Sequence, residues 1–194
     1  MELDEIKIKG YVTIWQGDGK NKKFIVKRAE NRFVDAGLKG LVSALACSAI
    51  AVTAPSGISS WSYNPQIYLG SDTDISTTHE MNVLAAPIGI APGTAPNTIS
   101  GINRTNPSSG VWRTSFVAVW HAGNVSGTVG ELGLYLRPFT EFAAGWVRNM
   151  GQNSYVYPLA LVSRLSSADL DFSSFIIDTS KSITVQWTVE VSFA

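Results

Sequence analysis

Acidic residues come nearest to a catalytic set in this sequence. Glycoside hydrolases use carboxyl groups in pairs, as an acid with a nucleophile or base, held about 5 to 10 Å apart. The sequence does not fix such a distance between any two of its acids. The enzymatic hypothesis is therefore a glycosidase that uses Glu131 and one partner acid. The acids considered are Glu131, Glu141, Asp169 and Asp171.

Motifs for metal binding and nucleophilic catalysis are missing from the sequence. It contains no HExxH, paired CxxC, GxSxG or P-loop pattern, and its histidines, His79 and His121, are scattered. Asp72 and Asp74 alternate as in a calcium loop, but the later ligands of an EF-hand do not follow. We expect no enzyme, no cofactor and no metal. Cys47 is the only cysteine, which excludes an internal disulfide.

Glu131 stands alone as a carboxylate in the apolar strand pattern TVGELGLYL. Glycines on both sides leave room for another backbone or an aromatic ring to approach closely. A buried carboxylate needs hydrogen bonds or an arginine to offset its lost hydration. We predict a structural acid paired with Arg113 or Arg164, with backbone N–H groups as the alternative partners.

Aromatic and low-charge segments provide the candidates for contact surfaces. Trp187 and Trp120 fall on the apolar parity of their strands, which predicts core positions. Trp15, Trp61 and Trp146, together with the Pro- and Asn-containing segment, are freer to form interfaces or, alternatively, to stack on sugars. The predicted interface residues are Trp15, Trp61, Pro92, Pro96, Asn103 and Trp146.

Strict alternation of apolar and polar residues marks several strands. Residues 5–15 and 183–193 show it most clearly, since every second residue is apolar over most of each segment. The segment QGDGKNK supplies the Gly and Asn of a turn and joins the first strand to KFIVKR as a β-hairpin. A 3.6-residue period predicts one amphipathic helix near 36–48, where Asp35 is the candidate N-cap.

These elements predict a mainly β protein, an antiparallel β-sandwich with one helix packed on it. Residues 1–30 are expected to form a charged N-terminal hairpin arm that deletion would remove without unfolding the rest. Residues 31–194 would form the sandwich domain. The segment at about 85–110 is rich in Pro, Thr and Asn and is predicted to be a long, low-charge loop for contacts.

Charge is low overall and unevenly distributed. Charged residues make up 15% of the chain and the net charge is zero, which excludes a global field for nucleic acid. Residues 1–39 nevertheless carry nine of the 15 basic groups, together with six acids. The low charge predicts extensive contacts with other chains. No membrane span or secretory signal is visible, so we expect synthesis in a cytoplasm and no membrane partner.

Three ordered motifs resemble those of tailed-bacteriophage particle proteins, in particular the tail-collar fibre and tail-adaptor type. They are NRFVDAGLKGLVSAL, IYLGSD and VGELGLYL, and they lie within residues 31–136. Tail-collar proteins usually continue into a fibre shaft, whereas this sequence ends in VEVSFA and adds the charged hairpin. The resemblance implies a role in virion assembly.

The leading expectation is therefore a non-enzymatic structural protein of a tailed-phage-like virion, made in the host cytoplasm. A tail, baseplate or fibre-attachment component comes first, and a capsid decoration protein is the alternative. A carbohydrate-binding β-sandwich at a receptor-binding tip is a further alternative, so a glycan stays open as a ligand. The expected partners are copies of the chain itself and other virion proteins, without nucleic acid.

Overall fold

Antiparallel strands dominate this protein. The computed structural model describes residues 6–35, 37–38, 66–81, 83–88, 101–136, 160–169 and 172–193. These form two five-stranded sheets, one two-stranded sheet and two 3₁₀ turns, Gly19–Asn21 and Ser167–Asp169. The strands are β1 (Ile6–Gln16), β2 (Lys23–Glu30), β3 (Arg32–Phe33), β4 (Gln66–Gly70), β5 (Pro87–Ile88), β6 (Gly101–Ser108), β7 (Val111–Trp120), β8 (Thr128–Val129), β9 (Glu131–Leu136), β10 (Ala160–Ser166), β11 (Phe175–Ile176) and β12 (Ile183–Phe193).

The first sheet has the strand order β2-β1-β12-β7-β6. Its central pair, β1 and β12, aligns over the full length of both strands, with Val12 opposite Trp187. Alternation along these strands places Val12 and Trp187 on the inner face, where neither side chain has exposed surface. Gly17, with a φ of 80°, makes the turn that begins the return to β2.

The second sheet has the order β3-β10-β9-β4-β5. Leu132 and Leu134 of β9 share one apolar core with Ile14 and Val185 of the first sheet. The opposite face of β9 is also covered, because Tyr135 packs in a smaller cluster with Val34, Leu84 and Leu161. β9 is therefore buried on both of its faces, which explains why its sequence is apolar almost throughout.

Strand positions follow the sequence patterns closely. The mainly β class is confirmed, as are the predicted strands at β1, β2, β7, β9 and β12. The inward parity of β12 is confirmed as well, since Ile183 and Val185 are almost fully buried together with Trp187. Trp120 is 9% exposed and belongs to the same core.

The N-terminal hairpin is an integral part of the first sheet, which corrects the expectation of a separate arm. β1 lies between β2 and β12, and Ile14 is fully buried in the shared core. A single residue, Asn31, separates β2 from β3, so the chain passes directly from the first sheet into the second. The reason is physical: the apolar face of β1 is buried against the second sheet and not against a partner chain.

The expected loop at about 85–110 also needs correction, because β5 and β6 lie within it. β6 is an edge strand of the first sheet, and its Asn103 and Arg104 are exposed. Other predicted features lie outside the described residues. These are the helix near 36–48 apart from residues 37–38, and Cys47, Trp61, Pro92, Pro96 and Trp146.

Candidate functional site

Glycines create the space in which the Glu131 side chain lies. Gly70 of β4 is opposite Glu131 in the antiparallel register. A Cβ atom on Gly70 would lie 2.5 Å from Cγ and Oε1 of Glu131, so a larger residue would displace the acid. Gly130, just before β9, approaches the backbone carbonyl of Asp72 in the same way. The glycines around Glu131 thus permit close approach of a side chain and of a second backbone.

Arg164 of β10 is the cation that faces Glu131. It lies opposite Gly133 in the register of β9 and β10, diagonal to the acid. Its Nε is 2.9 Å and its Nη2 is 2.8 Å from Oε2 of Glu131, and neither side chain has exposed surface. A fully desolvated pair of this kind depends on complete hydrogen bonding, because water cannot replace a missing partner.

The remaining contacts of the two side chains satisfy that requirement. Nη2 of Arg164 also lies 3.2 Å from Oδ2 of Asp72, and Nη1 donates to the Ile75 carbonyl at 2.7 Å and to Thr77 Oγ1 at 3.2 Å. All five guanidinium N–H groups therefore have an acceptor within reach. The backbone N–H of Ala86 donates to Glu131 Oε1 at 2.7 Å, and that of Ala85 donates to Oε2 at 3.2 Å.

A second carboxylate extends this network. The Asp169 side chain is 2% exposed and accepts hydrogen bonds from the Thr77 backbone N–H at 3.1 Å and from the Thr77 hydroxyl at 2.5 Å. The Thr77 hydroxyl thus joins Asp169 to Arg164. Arg32, at the start of β3, lies 3.6 Å from Asp169 at the half-exposed edge of the network.

The segment 71–86, in which residue 82 lies outside the described residues, is held on the second sheet by this network. We call it the clamped segment. Ser71 N–H donates to the Ala86 carbonyl at 2.8 Å and closes its two ends. Leu84 N–H donates to the Tyr135 hydroxyl at 2.7 Å, and burial raises the pKa of Tyr135 to about 12. The segment has few strand contacts of its own, so side chains of β9 and β10 fix its position.

Comparison with known proteins gives no match to this chain among protein-family profiles, curated proteins or solved structures. Across the described ranges, no group of three or more His, Cys, Asp or Glu side chains is arranged to hold a metal ion. No helix in the described part of the chain is long and apolar enough to cross a membrane.

The arginines named from the sequence occupy different places. Arg164 contacts Glu131, whereas Arg113 pairs with Glu190 on the solvent-facing side of the first sheet. The hydrogen bond from Arg113 holds the pKa of Glu190 below its ordinary value. Both kinds of partner named for Glu131, an arginine and backbone N–H groups, are present at once.

The aromatic candidates also separate into core and surface. Trp187 is fully buried between the sheets, while Trp15 is half-buried on the outer face of β1. Trp15 packs against Phe24 of β2 with ring centroids 6.2 Å apart, and Lys22 Nζ lies 3.7 Å from the Trp15 ring centroid. Trp15 is therefore the predicted interface tryptophan that the described structure places at the surface.

Three residues of the network were not among the sequence candidates for partners of Glu131: Asp72, Thr77 and Asp169. The sequence offers Asp72 as a calcium ligand and Asp169 as a catalytic acid. In the structure, Asp72 pairs with Arg164, and Asp169 accepts a hydrogen bond from the Thr77 hydroxyl. A signal was present in the sequence, because a Ser/Thr/Asp-rich segment directly after the strand that ends at Gly70 must satisfy its polar groups somewhere.

Gly70→Ala should destabilise the protein because the new methyl group would overlap the Glu131 side chain. We expect a loss of about 3 kcal/mol in the free energy of unfolding, from crowding and from disturbance of the buried pair. Urea denaturation followed by circular dichroism measures it.

The control for this substitution is the same change in a Glu131→Ala background. With the acid removed the overlap disappears, so Gly70→Ala should then cost less than about 1 kcal/mol. Equal costs in both backgrounds would show that Gly70 does not serve to accommodate Glu131.

Proposed function

We propose that this protein is a non-enzymatic structural component of a tailed-phage-like virion, acting in a tail, baseplate or fibre attachment. The observation that carries the proposal is the burial and full hydrogen bonding of Glu131, the acid of the VGELGLYL motif. Its side chain has no exposed surface, and both of its oxygens accept hydrogen bonds from Arg164, Ala85 or Ala86. The motif through which the sequence resembles tail proteins thus coincides with the clamp on residues 71–86.

The glycosidase hypothesis loses support from the same contacts. A catalytic acid must reach the proton it transfers, at hydrogen-bond distance or through one water. Glu131 faces a guanidinium and two backbone amides instead, beneath the clamped segment. A sugar could reach this carboxylate only after that segment had left the sheet.

For the architecture we propose a β-sandwich formed by the two five-stranded sheets. Support comes from the shared core, in which Val12 and Trp187 of the first sheet cluster with Ile67, Leu69 and Leu132 of the second. Such a scaffold leaves loops and the outer face of one sheet for contacts, as an assembly protein requires.

Two measurements test the virion role. Particles purified on a density gradient should contain the protein in a fixed ratio to the other particle proteins. Sedimentation of the isolated protein should give a defined multimer. A protein that is absent from purified particles would contradict the proposal whatever its mass in solution.

Capsid decoration is the alternative within the same class of function. Antibody labelling of purified particles, viewed by negative-stain electron microscopy, separates the two. Label on the tail or baseplate supports the leading proposal, and label distributed over the head supports decoration.

A carbohydrate-binding role is favoured by one observation on the described surface. Trp112 of β7 is 56% exposed, so its indole ring offers a flat apolar face on which a sugar could stack. Binding on a broad glycan array that is lost in Trp112→Ala would support a receptor-binding tip. Absence of binding by the folded protein would count against it.

A further inference from the structure

Two groups of exposed charged residues in the described chain form surfaces of opposite sign. The first, which we call the basic surface, is the exposed side of the β1–β2 hairpin. It contains two exposed acids, Asp18 and Glu30, among a larger number of exposed cations. These cations are Lys7, Lys9, Lys20, Lys22, Lys23, Lys27 and Arg28.

The second surface, which we call the acidic surface, is formed by the clamped segment and Asp35. Asp74, Glu80 and Asp35 are exposed there, and the Asp35 N–H donates to the His79 carbonyl at 2.9 Å, which joins residue 35 to the segment. Arg164 contributes no charge to this surface because its side chain is fully buried and is paired with the carboxylates of Asp72 and Glu131. A zero net charge for the whole chain thus conceals a separation of charge.

Exposed apolar side chains lie within each surface. On the basic surface Phe24 is 46% exposed and packs beside Trp15. On the acidic surface Ile75 is 46% and Val83 is 58% exposed. Apolar residues surrounded by charged ones are the usual composition of a protein–protein interface.

We propose that the basic surface of one copy binds the acidic surface of a second copy, in a head-to-tail contact. The inference rests on the proposed assembly function and assigns the two faces that copies of the chain use. Each surface would repel its own kind, so a two-fold contact of hairpin on hairpin is unfavourable, whereas opposite surfaces attract. A contact between two different faces continues from copy to copy and yields a ring or a filament.

The buried network gives the acidic surface a fixed shape for this contact. Arg164 binds the carbonyl of Ile75, the apolar residue that follows Asp74. The Asp72 carboxylate accepts the Ile75 N–H at 2.9 Å, so both backbone groups of Ile75 are held. A surface that is ordered before binding loses less conformational entropy on association.

Salt provides the first test, with sedimentation velocity on the full chain as the measurement. Raising NaCl from about 0.05 M to about 0.5 M shortens the screening length and should weaken association by about tenfold or more. An oligomer whose dissociation constant is unchanged over that range would overturn the proposal.

Charge reversal provides the second test. Lys20→Glu/Lys23→Glu alters the basic surface beside Phe24, and Asp74→Lys/Glu80→Lys alters the acidic surface beside Ile75. Each double variant alone should assemble far more weakly, because the first loses most of the positive charge of its basic surface and the second reverses the sign of its acidic surface. An equimolar mixture should recover a contact, because the unaltered acidic surface of the first variant meets the unaltered basic surface of the second. Circular dichroism confirms that both variants are folded.

The matched control is Ile176→Ser, which removes a 77% exposed apolar side chain of β11 that belongs to neither surface. It should leave the oligomer unchanged, whereas Phe24→Ser and Val83→Ser should weaken it about tenfold or more. A multimer that persists in both charge-reversed variants would overturn the head-to-tail contact. So would a loss of assembly in the hairpin variant alone, which would show that the basic surface contacts a different surface of the second copy.

Failure of this inference is separable from failure of the virion role. A monomeric protein that still co-purifies with particles would overturn the head-to-tail contact and leave the structural function standing. A protein that is absent from particles but forms a salt-sensitive multimer in solution would overturn the virion role and leave the head-to-tail contact standing.

Discussion

Arg164→Met should lower the free energy of unfolding by about 3–5 kcal/mol, because it leaves the buried Glu131 carboxylate without its cation. The loss extends beyond one pair. Asp72, Ile75 and Thr77 also lose the guanidinium that holds them, so the clamped segment should detach from the second sheet. Urea denaturation gives the stability change, and hydrogen exchange of the Ala85 and Ala86 amides reports the detachment.

Arg113→Met is the matched control, since Arg113 also lies on a strand and pairs with one glutamate. Its side chain is 40% exposed, so water replaces the lost contact and the change should be far smaller. Glu131→Gln combined with Arg164→Met should restore part of the loss, because the unpaired charge is gone. If Arg164→Met unfolds at the wild-type urea concentration, the network does not stabilise the fold.

Deletion of residues 1–30 should abolish cooperative folding, which is the opposite of what a detachable arm would show. The deletion removes β1 and β2 and uncovers one edge of β12 together with part of the shared core. Val12 and Ile14 are fully buried, and truncating a single side chain of this kind already costs about 2–5 kcal/mol. Circular dichroism and thermal melting of the shortened chain measure the effect.

Lys27→Ala serves as a control in the same hairpin because its side chain is exposed and lies outside the core. It should melt within a few degrees of the wild type. A shortened chain that keeps a sharp unfolding transition would mean that the second sheet and the rest of the first are stable without β1.

The alternation of apolar and polar residues made most of the long strands predictable from the sequence. β12 repeats apolar residues at every second position from Ile183 onward because one face of the strand packs on the core and the other meets solvent. The same logic located β1 and β7. It failed at β6, whose residues from Asn103 to Ser108 are all exposed at a sheet edge. Such a strand buries neither face, so its polar composition is typical of a loop.

The candidate site was predictable only in part because its contacts are distant in sequence. The pattern indicated that Glu131 is buried and named Arg164 as one of two partners. Nothing local to Glu131 indicates Ala85 or Ala86, which are more than 40 residues away along the chain. The register of β4, β9 and β10 brings these groups together, and register depends on the whole sheet.

The pairing of β1 with β12 has a consequence for synthesis on the ribosome. The first described strand, β1, pairs with the last one, β12, and Ile6 lies opposite Phe193. The first sheet therefore cannot form completely until β12 has left the exit tunnel. Until then the apolar side of the β1–β2 hairpin has no β12 beside it to complete the sheet. Partly made chains should therefore be vulnerable to aggregation and should bind chaperones, and slowing translation just before the codons of β12 should worsen both.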